Sequence, residues 1–197
     1  MNLCVFQGTF NPVHNAHVRV AQYITEKYNF DKFLFIPAYK PPHKDYDPQM
    51  SYHRLGMVKL AISGKNPKFE VSDIEFQREG KSYTYITICE LYKKYNHTDK
   101  IKFVIGTDAF AHIESWYEAD KLKELVKFLV FYRGKNIDKK SFEELAAKGY
   151  DFEFEELPFE DISSTNLRRM IKNGQDISNY VDEKVKDYIY GHGLYEN

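Results

Sequence analysis

Short apolar runs alternate with amphipathic stretches along most of the chain, and that alternation restricts the fold more than any other feature. Strand patterns fall at Leu3–Phe6, Lys32–Ile36, Phe69–Val71, Lys102–Ile105, Lys127–Phe131 and Phe152–Phe154. Helical patterns fall at Asn15–Lys27, Ser51–Ile62, Thr84–Tyr95, a short Ala109–His112, Glu118–Leu125, Ser141–Lys148, Ser164–Lys172 and Asp182–Tyr190. This strand-then-helix order predicts an α/β fold, a doubly wound parallel sheet with helices on both faces. In such sheets ligands bind beyond the carboxyl ends of the strands, where the strand order reverses. The stretch Lys40–Gln49, rich in Pro, Lys and His, reads as a mobile loop. No repeat, low-complexity tract or linker divides the chain, so a single domain over residues 1–197 is expected, with a C-terminal helical part from about residue 162.

Composition narrows the class of function. A net charge of -1 removes the electrostatic case for a nucleic-acid or membrane partner. The 16 Tyr and 15 Phe suit planar ligands, and equally an aromatic core. Cys4 and Cys89 have neither a CxxC partner nor a His/Cys cluster, which predicts free thiols in a reducing, cytoplasmic setting. Met1-Asn2-Leu3-Cys4 enters a strand at once, leaving no targeting segment in this reading. No apolar run approaches the ~18 residues of a membrane span.

Two segments carry chemistry. Gly8-Thr9-Phe10-Asn11-Pro12-Val13-His14-Asn15-Ala16-His17 joins the first strand to the first helix. Backbone N–H groups at a helix start lack intrahelical partners and sit at the positive end of the dipole, so they attract anions. Gly8 permits a tight turn and close approach of a ligand, and Pro12 rigidifies the exit. If Asn15 caps the helix, His14 and His17 face one bound phosphate; a plain strand-turn-helix corner with surface histidines is the alternative. Near the other end, Ile162-Ser163-Ser164-Thr165-Asn166-Leu167-Arg168 reads as a helix start capped by Ser163 or Ser164. Its hydroxyls and Arg168 suit a polyphosphate, although a capping serine is also an ordinary structural device.

Together the two segments resemble the signatures of the nucleotidylyltransferase superfamily, a (H/T)xGH motif after the first strand and an ISSTxxR motif before a late helix. The matching residues are His14-Asn15-Ala16-His17 and Ile162–Arg168. Between them, Pro37-Ala38-Tyr39-Lys40-Pro41-Pro42-His43-Lys44, Ser82-Tyr83-Thr84, Phe103-Val104-Ile105-Gly106-Thr107-Asp108 and Trp116-Tyr117 follow the order of the bacterial nicotinate-mononucleotide adenylyltransferase family. The resemblance runs from Leu3 to about Lys172. It implies a Rossmann-like fold of the nucleotidylyltransferase type and an enzyme of NAD biosynthesis. The implied reaction transfers the AMP moiety of ATP to nicotinate mononucleotide, giving deamido-NAD and pyrophosphate.

Carried onto this chain, the resemblance implies that His14, His17 and Arg168 are catalytic. Gly8, Thr9, Phe10, Lys40, Ile162, Ser163, Ser164 and Thr165 would join them in binding ATP, with Lys40 and Lys44 closing over the phosphates. Ser82, Tyr83, Thr84, Gly106, Asp108, Trp116 and Tyr117 would bind the acceptor. In that site Trp116 would stack on the pyridine ring, backbone N–H groups near Thr84 and Tyr117 would receive the carboxylate, and Asp108 would meet the ribose. Magnesium would come with ATP, no protein metal site is expected, and a second copy of the chain is an allowed partner. Two positions depart from the family pattern: Ala16 replaces its usual glycine, and Asn11 stands where many relatives carry aspartate.

Other readings compete. Gly80-Lys81-Ser82 resembles the end of a P-loop, but the glycine required five positions earlier is Glu75. The chain has no GxGxxG after its first strand and no nucleophile elbow, and the two histidines have no third zinc ligand nearby in sequence. Remaining alternatives are an adenylyltransferase with nicotinamide mononucleotide or phosphopantetheine as acceptor, and a non-catalytic nucleotide sensor. An RNA-binding protein is disfavoured by the charge balance.

Overall fold

The computed structural model describes residues 1–43, 46–97, 99–133, 139–157 and 163–196. Its six strands are β1 (Leu3–Gly8), β2 (Lys32–Pro37), β3 (Phe69–Val71), β4 (Ile101–Gly106), β5 (Val126–Arg133) and β6 (Phe152–Leu157). All pair in parallel, in the order β3-β2-β1-β4-β5-β6. The strands are those expected from the apolar runs, several extended by one to three residues.

Why the runs are continuous is visible in the packing. Cys4 and Phe6 of β1, Phe33 and Phe35 of β2 and Leu129 of β5 belong to one buried cluster. Their chain neighbours Leu3, Val5, Leu34, Ile36, Phe128 and Val130 belong to the cluster on the opposite face. Successive residues of a strand point to opposite faces, and in the central strands both faces are covered, so no polar alternation survives there, whereas the edge strand β6 (FEFEEL) keeps one. The first face is covered by α1 (Asn15–Lys27), α2 (Pro48–Ile62), α7 (Ser164–Lys172) and α8 (Glu183–Gly191). The second is covered by α3 (Thr84–Lys94), α4 (Thr107–Phe110), α5 (Ala119–Leu125) and α6 (Glu143–Ala147). No described helix is long and apolar enough to cross a membrane.

Two expectations about element starts are corrected. Helix α2 begins at Pro48 rather than Ser51, because the Asp47 side chain accepts the Gln49 N–H and Pro48 occupies the first turn, so the expected loop ends before Gln49. Helix α1 is capped by His14, not Asn15. Asn15 is otherwise engaged, its N–H donating to Tyr180 O at 2.7 Å and its Nδ2 to Asn179 O at 3.3 Å.

The C-terminal helix is anchored by its own cap. Asp182 accepts the Lys184 N–H at 3.1 Å and pairs with Lys65 at 2.9 Å. Partial burial pushes its pKa up, but the Lys65 ion pair and the cap bond outweigh it and hold the carboxyl below the ordinary aspartate value. A depressed pKa stabilises the fold above the unfolded-state value and loses that contribution as pH falls through the folded-state one. Asp182→Ala is expected to cost about 1 kcal/mol at neutral pH, with the deficit vanishing in acid. Denaturant unfolding of both proteins at several pH values checks this, and a pH-independent deficit would refute the ionic account.

Candidate active site

The sheet opens where its order reverses. Strands β1 and β2 stay in register over six residue pairs, Leu3–Lys32 to Gly8–Pro37, and β4 and β5 likewise from Ile101–Val126 to Gly106–Phe131. Strands β1 and β4 pair only at Cys4–Lys102 and Val5–Phe103. Beyond that point they part, and Phe6, Gln7 and Gly8 face Val104, Ile105 and Gly106 across a cavity of about 580 Å3. Its size suits a small-molecule site.

Of the expected acceptor residues, Ser82, Tyr83, Thr84, Gly106, Trp116 and Tyr117 all line this cavity. Trp116 packs edge-on against Phe103, ring centroids 6.2 Å apart, and Tyr117 stacks on Tyr83 at 4.5 Å. Tyr83 is the N-cap of α3 without a side-chain cap bond, so the first-turn N–H groups from Thr84 onward form a donor edge on the cavity wall. Asp108 is not brought to this wall. It lies exposed in the first turn of α4, whose N-cap is Gly106.

Two of the expected ATP residues, Thr9 and Arg168, line a second, adjoining cleft. Thr9 and Pro41 line both the cavity and a recess of about 210 Å3 bounded by Asn11, Asp47, Arg54 and Arg168. The two sequence motifs meet here: Arg168 Nη1 donates to Asn11 O at 2.7 Å, and Ser164 Oγ donates to Pro12 O at 2.9 Å. Ser163 is the N-cap of α7, its Oγ accepting the Asn166 N–H, while Arg168 Nη2 reaches Thr165 Oγ1 at 3.3 Å. Ile162 and Lys44 lie outside the described residues.

The histidines hold each other in a capping box at the start of α1. His17 Nδ1 accepts the His14 N–H at 3.2 Å, and the rings lie 3.7 Å apart at 35°. An accepting Nδ1 places the proton of a neutral His17 ring on Nε2. Ala16 is buried at 8% exposure.

Three expected ATP contacts take a different form. Phe10 is 3% exposed at φ 48°, its ring packed on Phe6, His17 and Phe35, so only its backbone is available to a ligand. A Cβ on Gly8 would sit 3.1 Å from that ring, so the missing side chain makes room for Phe10 rather than for a ligand. Lys40 Nζ lies over the Tyr46 ring at 4.8 Å and lines a separate recess with Tyr39, Phe76 and Arg78.

Arg54 and Tyr195 were missed by sequence reasoning. Arg54, 3% exposed, donates to Thr9 O at 2.7 Å, Tyr39 O at 3.3 Å and Ser51 Oγ at 2.9 Å. Burial lowers its pKa, while Tyr195, Glu75 and Asp47 hold it up. Tyr195 OH donates to Asn11 Oδ1 at 2.6 Å. Burial pushes this phenol up against the downward pull of Arg54 and Arg168, which keeps it protonated at neutral pH. The signal for Arg54 was present, a charge inside the apolar spacing Ser51, Leu55, Val58, Ala61 and Ile62.

A strand-to-helix loop at the switch point of a parallel sheet, with Arg54 and Arg168 beside it, defines a nucleotide-binding class. The family model described as cytidylyltransferase-like matches residues 5–170, and the chain belongs to that family. The chain is 39% identical to a probable nicotinate-nucleotide adenylyltransferase of Clostridium tetani over 97% of both sequences, and 35% identical to that of Caldicellulosiruptor saccharolyticus over 100% of both. It is similar in structure to the Plasmodium falciparum nicotinic acid mononucleotide adenylyltransferase complexed with NaAD, with TM-score 0.79, 25% identity and coverage of 99% of this chain and 97% of that one. The same Plasmodium enzyme complexed with APC gives a TM-score of 0.75, again at 25% identity over 99% and 97%.

Proposed function

We propose that the chain transfers the AMP moiety of ATP to the phosphate of nicotinate mononucleotide, giving deamido-NAD and pyrophosphate. One observation carries the assignment to this site: the acceptor cavity and the cationic recess share the walls Thr9 and Pro41 at the sheet's switch point. Two ligands placed there meet end to end, as an in-line transfer needs.

An acceptor phosphate oxygen is already ionised at neutral pH and needs no general base. It attacks the α-phosphorus, the bond to the bridging oxygen breaks, and pyrophosphate leaves with that electron pair. The protein's task is alignment and charge neutralisation. In this reading His17 Nε2 and His14 donate to the phosphates, Arg168 and the α7 start bind the outer oxygens, and Arg54 holds the loop at Thr9. The α3 donor edge receives the nicotinate carboxylate beside Trp116. A neutral carboxamide there would leave donors mismatched, which favours the acid form.

Magnesium fits as a companion of the triphosphate. The basic side chains around the loop, His14, His17, Arg54 and Arg168, complement phosphate oxygens, while Asp47, the carboxylate among the described residues lining the recess, accepts the Gln49 N–H; this cation prefers oxygen ligands. Carried by the triphosphate, it would supply charge neutralisation on the leaving group. The free Cys4 and Cys89 support a cytoplasmic setting.

Pyrophosphate release with ATP and magnesium, comparing nicotinate mononucleotide, nicotinamide mononucleotide and phosphopantetheine, tests the proposal. Turnover is expected with the first and markedly less with the others. Preference for either alternative would reassign the acceptor, and no turnover with any of the three would remove the catalytic reading.

A further inference from the structure

We propose that Glu75 is a positioning residue of the acceptor cavity, whose carboxylate holds Gln7, Ser82 and the Tyr39–Lys40 backbone in one arrangement and so sets affinity for the acceptor rather than for ATP. The inference rests on the acceptor reading of that cavity. Glu75 belongs to neither phosphate motif; it lies in the 3-10 turn Ile74–Gln77 and is 1% exposed.

Its two oxygens gather donors from three separate segments. Oε1 accepts from Gln7 Nε2 at 2.6 Å and from Thr87 Oγ1 at 2.5 Å, and Oε2 accepts the Tyr39 N–H at 3.2 Å. Ser82 lies beside this carboxylate and pulls its pKa down, and the Ser82 Oγ accepts the Lys40 N–H at 2.9 Å. Arg78 Nη2 donates to Thr87 Oγ1 at 2.7 Å, which orients the threonine proton toward Glu75. Glu75 and Thr87 do not line the cavity, whereas Gln7 and Ser82 do, and Ala38 and Pro41 flank the Tyr39–Lys40 backbone on its wall.

Only an ionised carboxylate serves every donor at once, because it accepts and never donates. A glutamine would turn its NH2 toward at least one donor. Burial pushes the Glu75 pKa up, opposed by Ser82, by the Thr87 hydrogen bond and then by Arg78. The phosphate cleft does not depend on this hub in the same way. Asn11 is held by Arg168 and Tyr195, and Thr9 by Arg54.

Steady-state kinetics of the full chain, varying each substrate at saturation of the other, test the inference. Glu75→Gln is expected to raise KM for nicotinate mononucleotide about tenfold, with kcat and KM for ATP within about twofold. Thr87→Val keeps the shape but removes one donor, and should move the same KM about threefold. It carries the test if Glu75→Gln does not fold. An unchanged acceptor KM in the folded variants, or equal rises in both KM values, would overturn the assignment. Wild-type turnover in the same assay separates that result from failure of the acceptor reading itself, which would show as no wild-type turnover.

Discussion

Replacing His17 with alanine is expected to lower kcat by about two to three orders of magnitude, the scale for losing one preorganised transition-state donor. His17 Nδ1 is committed to the His14 N–H, so the ring cannot rotate freely, and Nε2 is aimed without a cost in reorganisation. The substitution also removes a helix-cap acceptor, worth about 1 kcal/mol of stability. Unfolding curves and single-turnover rates of one preparation separate the two effects. A folded His17→Ala protein with near-normal turnover would take His17 out of the mechanism.

Arg54→Met should be the most damaging change to the fold near the site, at about 2 to 4 kcal/mol. Methionine fills much of the volume, so packing is not the main loss. The Thr9 and Tyr39 carbonyls lose their guanidinium donor inside a buried recess. Thr9 lines the candidate nucleotide cleft, so KM for ATP should rise with the loss of stability. Denaturant unfolding measures the first effect and initial rates the second. A change below about 0.5 kcal/mol would show that water replaces the guanidinium at no cost.

The middle of the sheet was legible because strands β1, β2, β4 and β5 are covered on both faces and therefore read as apolar runs. The phosphate motifs were legible because they are local: a strand end, a capping serine and a helix start recur within ten residues. Arg54, Glu75 and Tyr195 were not, since their partners lie 45, 68 and 184 residues away at Thr9, Gln7 and Asn11. Only the closed sheet brings those pairs together. Asp108 shows the opposite limit. It follows a strand at the correct rim, yet the helix that starts at Thr107 turns its carboxylate onto an exposed surface. Gly8 was found for one reason and is required for another, because the ring that occupies its free space belongs to the chain itself.

The two-pair ladder between β1 and β4 has a mechanical meaning as well as a geometric one. It is the shortest ladder of the sheet and joins two three-stranded halves. A nucleotide lying across that seam does the work of missing rungs, so occupancy should stiffen the protein along this line first. Amide exchange at the carboxyl ends of β1 and β4 should slow on saturation with substrate, and the melting temperature should climb with ligand concentration as linkage demands.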